Sequence, residues 1–331
     1  MGVPAHEKED PMKPFAIVFP GQGSQSVGML DAWGLDAVVA QTVQEASDAL
    51  DQDIGQLIRE GPKEALALTT NTQPVMLVAG VAAYRAWMAR TGSAPVAVAG
   101  HSLGEYAALV AAGVLTMTQA APLVRLRAQA MQEAVPVGQG SMAAVLGLPP
   151  ETVMACCASV QATFGARSPE VVEVANFNDP GQTVISGSKQ AVERACEVLK
   201  AEGARRAMLL PVSAPFHCSL MRPAAERLRS ALEDLELQAP RIALINNIDV
   251  AVEVDADRIR DALFRQAFGA VRWVECIQAI KARGLQHVVE CGPGKVLTGM
   301  AARIDASLTG LAIYDPPSLQ LAQQALQGEA A

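Results

Sequence analysis

Between Val96 and Gly113 the chain reads VAVAGHSLGEYAALVAAG, with a serine between two glycines where one apolar run ends and another begins. G-x-S-x-G between a strand and a helix forms a nucleophile elbow. Its glycines permit a tight, strained turn that lifts the hydroxyl above the sheet edge and sets the next backbone N–H beside it. Gly100, Ser102 and Gly104 fill the three places. The pentapeptide also serves as a plain strand-to-helix turn with a serine N-cap, so its weight comes from its flanks. A serine hydroxyl is a weak nucleophile until a base takes its proton, and the chain has four histidines, His6, His101, His217 and His287. His101 adjoins Ser102, and neighbouring side chains on a tight turn diverge. His6 lies in the polar lead-in MGVPAHEKEDPMKP, and His287 opens an apolar strand, the usual setting of a structural histidine. His217, in the loop VSAPFHCSLM, is left as the candidate base.

These residues need a scaffold. FAIVFP (15–20) and VAVAG (96–100) read as buried strands, with helical patterns at about 35–50 and 73–89, after the elbow, and from an N-cap at Thr118 to about 134. Strands alternating with helices predict an α/β fold with a largely parallel sheet. The middle differs. SMAAVLGL, ETVMACCASV, VVEVANF, QTVISG, SKQAVERACEVLKAEG and RRAMLLPV follow the order β-α-β-β-α-β, with Asn178-Asp179-Pro180-Gly181 as the hairpin turn. That order predicts a ferredoxin-like subdomain at 138–211 inserted into a large α/β domain of 14–137 and 212–315. His217 then lies where the chain returns to the large domain, able to face the elbow. Past the insert, a helix (219–235), a strand (242–247), two helices (257–283), the strand HVVEC and a further helix are expected, with residues 1–13 and 316–331 as peripheral tails.

Composition excludes several classes. The 331 residues carry a net charge of −8 and no long Lys/Arg cluster, which argues against nucleic acid. The lead-in lacks a signal peptide's apolar core, and no apolar stretch reaches the ~18 residues a membrane helix needs. Cys156, Cys157, Cys196, Cys218, Cys276 and Cys291 show no C-x-x-C spacing, which fits reduced thiols in a cytoplasmic protein and offers no metal framework.

FPGQGSQ (19–25), GHSLGEY (100–106), RAQAMQEAVPVGQGSMAAVLG (127–147), VANFNDPGQTVISG (174–187), LPVSAPFHCSLM (210–221), RQAFGAVRW (265–273) and VECGPGKVLTGM (289–300) occur in this order. On these segments the chain resembles the bacterial malonyl-CoA:acyl carrier protein transacylases over about 14–310. That family has an α/β-hydrolase-like large domain and a ferredoxin-like insert. The resemblance implies Ser102 as the residue that takes malonyl from coenzyme A and His217 as the base that activates it. A backbone carbonyl near Gln266 then orients the imidazole in place of a carboxylate, and the Leu103 and Gln22 backbone N–H groups form the oxyanion hole. Arg127 becomes the carboxylate clamp, a planar and permanently charged fork suited to the free carboxylate that distinguishes malonyl from acetyl; Arg125, two residues away, faces elsewhere on the helix. Phe216, a bulky residue before the histidine, goes with malonyl over methylmalonyl. No cofactor is implied.

The implied activity is malonyl transfer to the phosphopantetheine thiol of acyl carrier protein, for fatty acid synthesis, by a cytoplasmic monomer. Three alternatives stay open: an enzyme loading polyketide synthase carriers, a serine hydrolase whose acid would be Asp179, and a non-catalytic carrier-binding scaffold. Acyl carrier proteins are acidic, so docking to this acidic chain needs a local basic patch, with Lys189, Lys200, Arg205, Arg206, Lys281, Arg283 and Lys295 as candidates.

Overall fold

The computed structural model describes residues 12–165 and 168–327; His6 lies outside them. The chain runs β1 (Phe15–Phe19), α1 (Ala37–Leu50), α2 (Ile54–Glu60), α3 (Lys63–Ala67), α4 (Thr69–Thr91), β2 (Ala97–Gly100), α5 (Gly104–Ala111) and α6 (Met117–Glu133). Then come β3 (Gly140–Leu146), α7 (Pro150–Thr163), β4 (Val172–Asp179), β5 (Gln182–Ser188), α8 (Lys189–Ala201) and β6 (Arg206–Leu209). It ends with α9 (Arg222–Glu233), β7 (Ala243–Ile245), α10 (Ala256–Gln266), α11 (Trp273–Ala282), β8 (His287–Cys291), α12 (Val296–Ile304), β9 (Thr309–Ile313) and α13 (Pro316–Gln327).

Two sheets result. One is five-stranded, in the order β7-β2-β1-β8-β9, with every pair parallel. Strands β1 and β2 are apolar and buried along their whole length because helices cover both faces there. In β1, Phe15, Ile17 and Phe19 join the core formed with α4, α5 and α6, while Ala16 and Val18 point the other way, toward Trp273, Ile277 and Met300. The other sheet is antiparallel, in the order β4-β5-β3-β6, with its own apolar cluster formed with α7 and α8. Asp179 pairs with Gln182, so the hairpin turn is Pro180-Gly181. The Asn176–Val271 bridge ties β4 to the segment before α11.

Three expectations change. The N-cap of α6 is Thr116, not Thr118: its hydroxyl accepts the Gln119 N–H and the Gln119 side chain accepts the Thr116 N–H, a reciprocal box that needs a Gln three residues on. Residues 309–313 form an edge strand beside β8 that no alternating pattern announced. Residues 316–327, expected as part of a peripheral tail, form a helix that buries Leu319, Ala322 and Leu326 in the main core. No described helix is long and apolar enough to cross a membrane.

Candidate active site

The elbow follows β2, with Ser102 at φ +54, a strained value for a residue bearing a Cβ. The glycines are required by contact. A Cβ on Gly100 would lie 1.9 Å from the Gly104 carbonyl carbon, and one on Gly104 would lie 2.1 Å from the Phe19 oxygen. The turn therefore presses against β1, and Ser102 remains partly accessible above the sheet.

His217 is the residue brought to it. It also has positive φ (+59) and is 4 % exposed. Its Nε2 lies 2.6 Å from Ser102 Oγ, and its Nδ1 lies 2.9 Å from the Gln266 carbonyl oxygen and 3.2 Å from that of Gly269. Two carbonyls can only accept, so Nδ1 carries the proton and Nε2 presents its lone pair to the serine hydroxyl. Burial first, and the Arg127 charge second, hold the His217 pKa down at about 3. The resting imidazole is therefore neutral, the form a general base requires.

Arg127, on α6, is 2 % exposed. Its Nη1 donates to Gln73 Oε1 (2.8 Å) and its Nη2 to Gln266 Oε1 (3.1 Å) and Ser102 Oγ (3.2 Å). All three acceptors are neutral, the Tyr106 ring lies 5.4 Å from its Cζ, and its Nε has no partner. A buried guanidinium with neutral partners and a spare donor is a site prepared for an anion. Arg125 points away, donating to Gln52 Oε1 at 2.5 Å.

The neighbouring backbone supplies donors. Gly21 packs so tightly that a Cβ there would lie 2.8 Å from the His101 oxygen, which brings the Pro20–Gly23 turn against the elbow. Among the described residues, the Leu103 and Gln22 backbone N–H groups meet no protein acceptor. The Leu103 side chain is buried and that of Gln22 exposed. Phe216 is 8 % exposed and packs in the main core.

His101 and His287 have structural settings. His101 Nε2 donates to Asn178 Oδ1 (2.8 Å) and its ring packs on Trp273. His287 begins β8. Asp179 is bound by the Arg303 Nε (2.6 Å), and carbonyls occupy the place behind His217 that a hydrolase acid would take. Among the described residues no cluster of His, Cys, Asp or Glu could hold a metal ion.

Sequence reasoning missed three polar residues. Gln73 holds Arg127. Asn247 Oδ1 accepts the Ser102 N–H (2.7 Å) and its Nδ2 donates to the Gly100 oxygen (2.8 Å). Glu105 accepts from the Asn247 N–H (3.0 Å) and from Gln266 Nε2 (3.1 Å), and burial pushes its carboxyl up to about 7. The available signal was a polar residue inside an apolar run: Gln73 in TQPVMLVAG, Glu105 in GEYAALVAAG, and Asn247 closing IALINN.

A family model described as acyl transferase domain matches residues 16–306. The chain belongs to this acyltransferase family. Malonyl CoA-acyl carrier protein transacylase of Escherichia coli (strain K12) is 48 % identical over 312 residues, covering 94 % of this chain and 99 % of that one. An acyl-carrier-protein S-malonyltransferase from Burkholderia pseudomallei 1710b superposes with a TM-score of 0.90 at 58 % identity, covering 94 % and 100 %. A malonyl-transacylase solved in complex with its type II PKS acyl-carrier protein gives 0.90 at 47 % identity, covering 93 % and 98 %. In this acyltransferase the serine–histidine pair thus belongs to a fold whose solved relatives move malonyl groups.

Proposed function

We propose that the protein transfers malonyl from malonyl-CoA to the phosphopantetheine thiol of an acyl carrier protein through a malonyl ester on Ser102. His217 takes the serine proton at Nε2 as Oγ attacks the thioester, and then protonates the departing CoA thiolate. The tetrahedral oxyanion lies against the Leu103 and Gln22 N–H groups. The carrier thiol repeats the sequence in reverse, with His217 removing its proton. The Gln266 and Gly269 carbonyls hold the imidazole in one tautomer and favour the charged ring that forms at each step.

The single observation that carries the reading is Arg127, buried beside Ser102 with only neutral hydrogen-bond acceptors, the buried Glu105 carboxyl acting on it from behind Gln266 without direct contact. Ser102 Oγ is close enough that a malonyl ester, with its carboxylate one methylene beyond the carbonyl, can fold back onto the guanidinium. The anion would complete Arg127's hydrogen bonding; an acetyl group would leave a buried donor unpaired. Loading assays with malonyl-CoA and acetyl-CoA on the wild type and Arg127→Ala test this. Malonyl loading should fall relative to acetyl loading; an unchanged ratio contradicts the clamp. Phe216, packed beside His217, is assigned to limiting bulk at the acyl α-carbon.

We read residues 138–211 as the inserted subdomain and 14–137 with 212–315 as the catalytic domain. The pathway follows from the carrier. Fatty acid synthesis is the pathway that the resemblance to the bacterial transacylases implies, and loading of a polyketide carrier is favoured by the 47 % identical transacylase solved with one. Transfer rates with the two carriers decide between them. Six free, buried cysteines agree with a cytoplasmic setting, and a monomer suffices because one chain supplies every site residue.

A further inference from the structure

Glu105 lies three residues past the nucleophile in the first turn of α5 and is 1 % exposed. No step above uses it, yet a buried carboxylate is retained only where partners hold it. Its Oε2 takes the Asn247 backbone N–H at 3.0 Å and Gln266 Nε2 at 3.1 Å. Those partners come from different segments, the turn after β7 and the end of α10, and each holds part of the reacting pair. Asn247 straps the elbow at the Ser102 N–H and the Gly100 carbonyl. Gln266 donates to the Ser102 carbonyl (2.9 Å) through Nε2 and accepts the His217 Nδ1 proton at its backbone oxygen. A side-chain amide fits equally well turned end for end; acceptors on one side and a donor on the other fix it. Here Glu105 and the Ser102 carbonyl take the amino end, and Arg127 takes the oxygen.

We infer that Glu105 is a positioning residue that fastens the serine strap to the histidine-orienting segment and so sets the Ser102–His217 register. This rests on the reading of those two residues as nucleophile and base. Above its raised pKa of about 7 the Glu105 carboxyl is ionised, so the comparison is made at about pH 8, where bonds to the carboxylate are roughly twice as strong as those to a neutral amide. Glu105→Gln preserves shape and weakens the fastening; Glu105→Asp preserves charge and withdraws the oxygens by one methylene.

The test is single-turnover acylation by malonyl-CoA and by acetyl-CoA, followed by intact mass on full-length protein, with thermal midpoints measured alongside. On the scale of one weakened charge-assisted bond, Glu105→Gln should slow acylation about tenfold. The loss should lie in the rate at saturation, in equal proportion for both acyl groups, with half-saturation for malonyl-CoA nearly unchanged. Glu105→Asp should show the same pattern and stands in if the Gln variant fails to fold. Full acylation rates in either folded variant overturn the inference. So does a loss confined to half-saturation or to the malonyl/acetyl ratio, which would make Glu105 a counter-charge to Arg127 instead. Ser102→Ala, run in parallel, separates the two readings, since an adduct persisting there defeats the nucleophile assignment and not the Glu105 geometry.

Discussion

At the scale of single residues, the chemistry depends on protons and charges held out of water. The His217 pKa of about 3 lies below the roughly 6.5 of a free imidazole. A folded value depressed below the unfolded one means that the neutral ring's contribution to stability is complete above about pH 6.5 and is lost as pH falls toward the folded value. The same shift should place the acid limb of kcat/KM well below the ordinary histidine range, since that limb reports the free enzyme. Arg127→Ala removes the second cause of the depression, so its acid limb should move to higher pH, measured as a kcat/KM profile with malonyl-CoA. An acid limb at the ordinary histidine value in the wild type contradicts the buried, neutral base. The same variant should lose selectivity for malonyl over acetyl by roughly 100-fold, the scale of a lost charge-assisted pair in a buried site. Loading rates with the two acyl-CoAs check that figure.

At the scale of elements, the site depends on how closely β2 and α5 approach β1. Gly104→Ala would drive a methyl into the Phe19 carbonyl, backbone that cannot yield as a side chain does. A loss of about 1–3 kcal/mol or more is expected from such overpacking, read as a lower midpoint in chemical denaturation, with loss of acylation. Thr116→Ala is the contrast. It removes the α6 cap at a cost of about 1 kcal/mol and should leave the malonyl/acetyl ratio intact, because the cap lies about three turns from Arg127. The strands around the elbow were legible because they are short apolar runs closed by Gly or Pro, and the hairpin because Pro180-Gly181 follows an Asx pair. The β9 edge and the α13 docking were not. An edge strand such as TGLAI carries little alternation, and an Ala/Gln-rich helix shows its buried Leu face only when a partner surface is known.

At the scale of the whole molecule, the site is assembled from distant segments. Ser102 comes from one strand–helix turn, Arg127 from α6, His217 from the loop after β6, and Gln266 from the end of α10. Motif order pointed to each of these, while the network behind them (Gln73, Glu105 and Asn247) became visible only when burial and partners were known. Strand β4 of the antiparallel sheet is tied to the large domain through the His101–Asn178 bond, the Asn176–Val271 bridge and the Arg303–Asp179 pair, partners that lie at the elbow, before α11 and on α12. Charge must act at this scale too. Lys189, Lys200, Arg205 and Arg206 are exposed on the antiparallel unit and Arg283 and Lys295 on the large one, whereas Lys281 is engaged by Asp305. Reversing the charges of Arg205 and Arg206 together should slow transfer to the carrier, most at low ionic strength, and leave CoA-dependent acylation unchanged. Stopped-flow transfer at two salt concentrations measures this; equal carrier rates in wild type and variant remove these two residues from the docking surface.

The most direct measurement is the intact mass of the protein after brief exposure to malonyl-CoA without a carrier, for the wild type and for Ser102→Ala. A single malonyl adduct that persists in the wild type, vanishes on adding carrier protein with a free phosphopantetheine thiol, and never forms in Ser102→Ala is the predicted result. Steady release of free malonate with no lasting adduct, or an equal adduct in Ser102→Ala, would contradict the account.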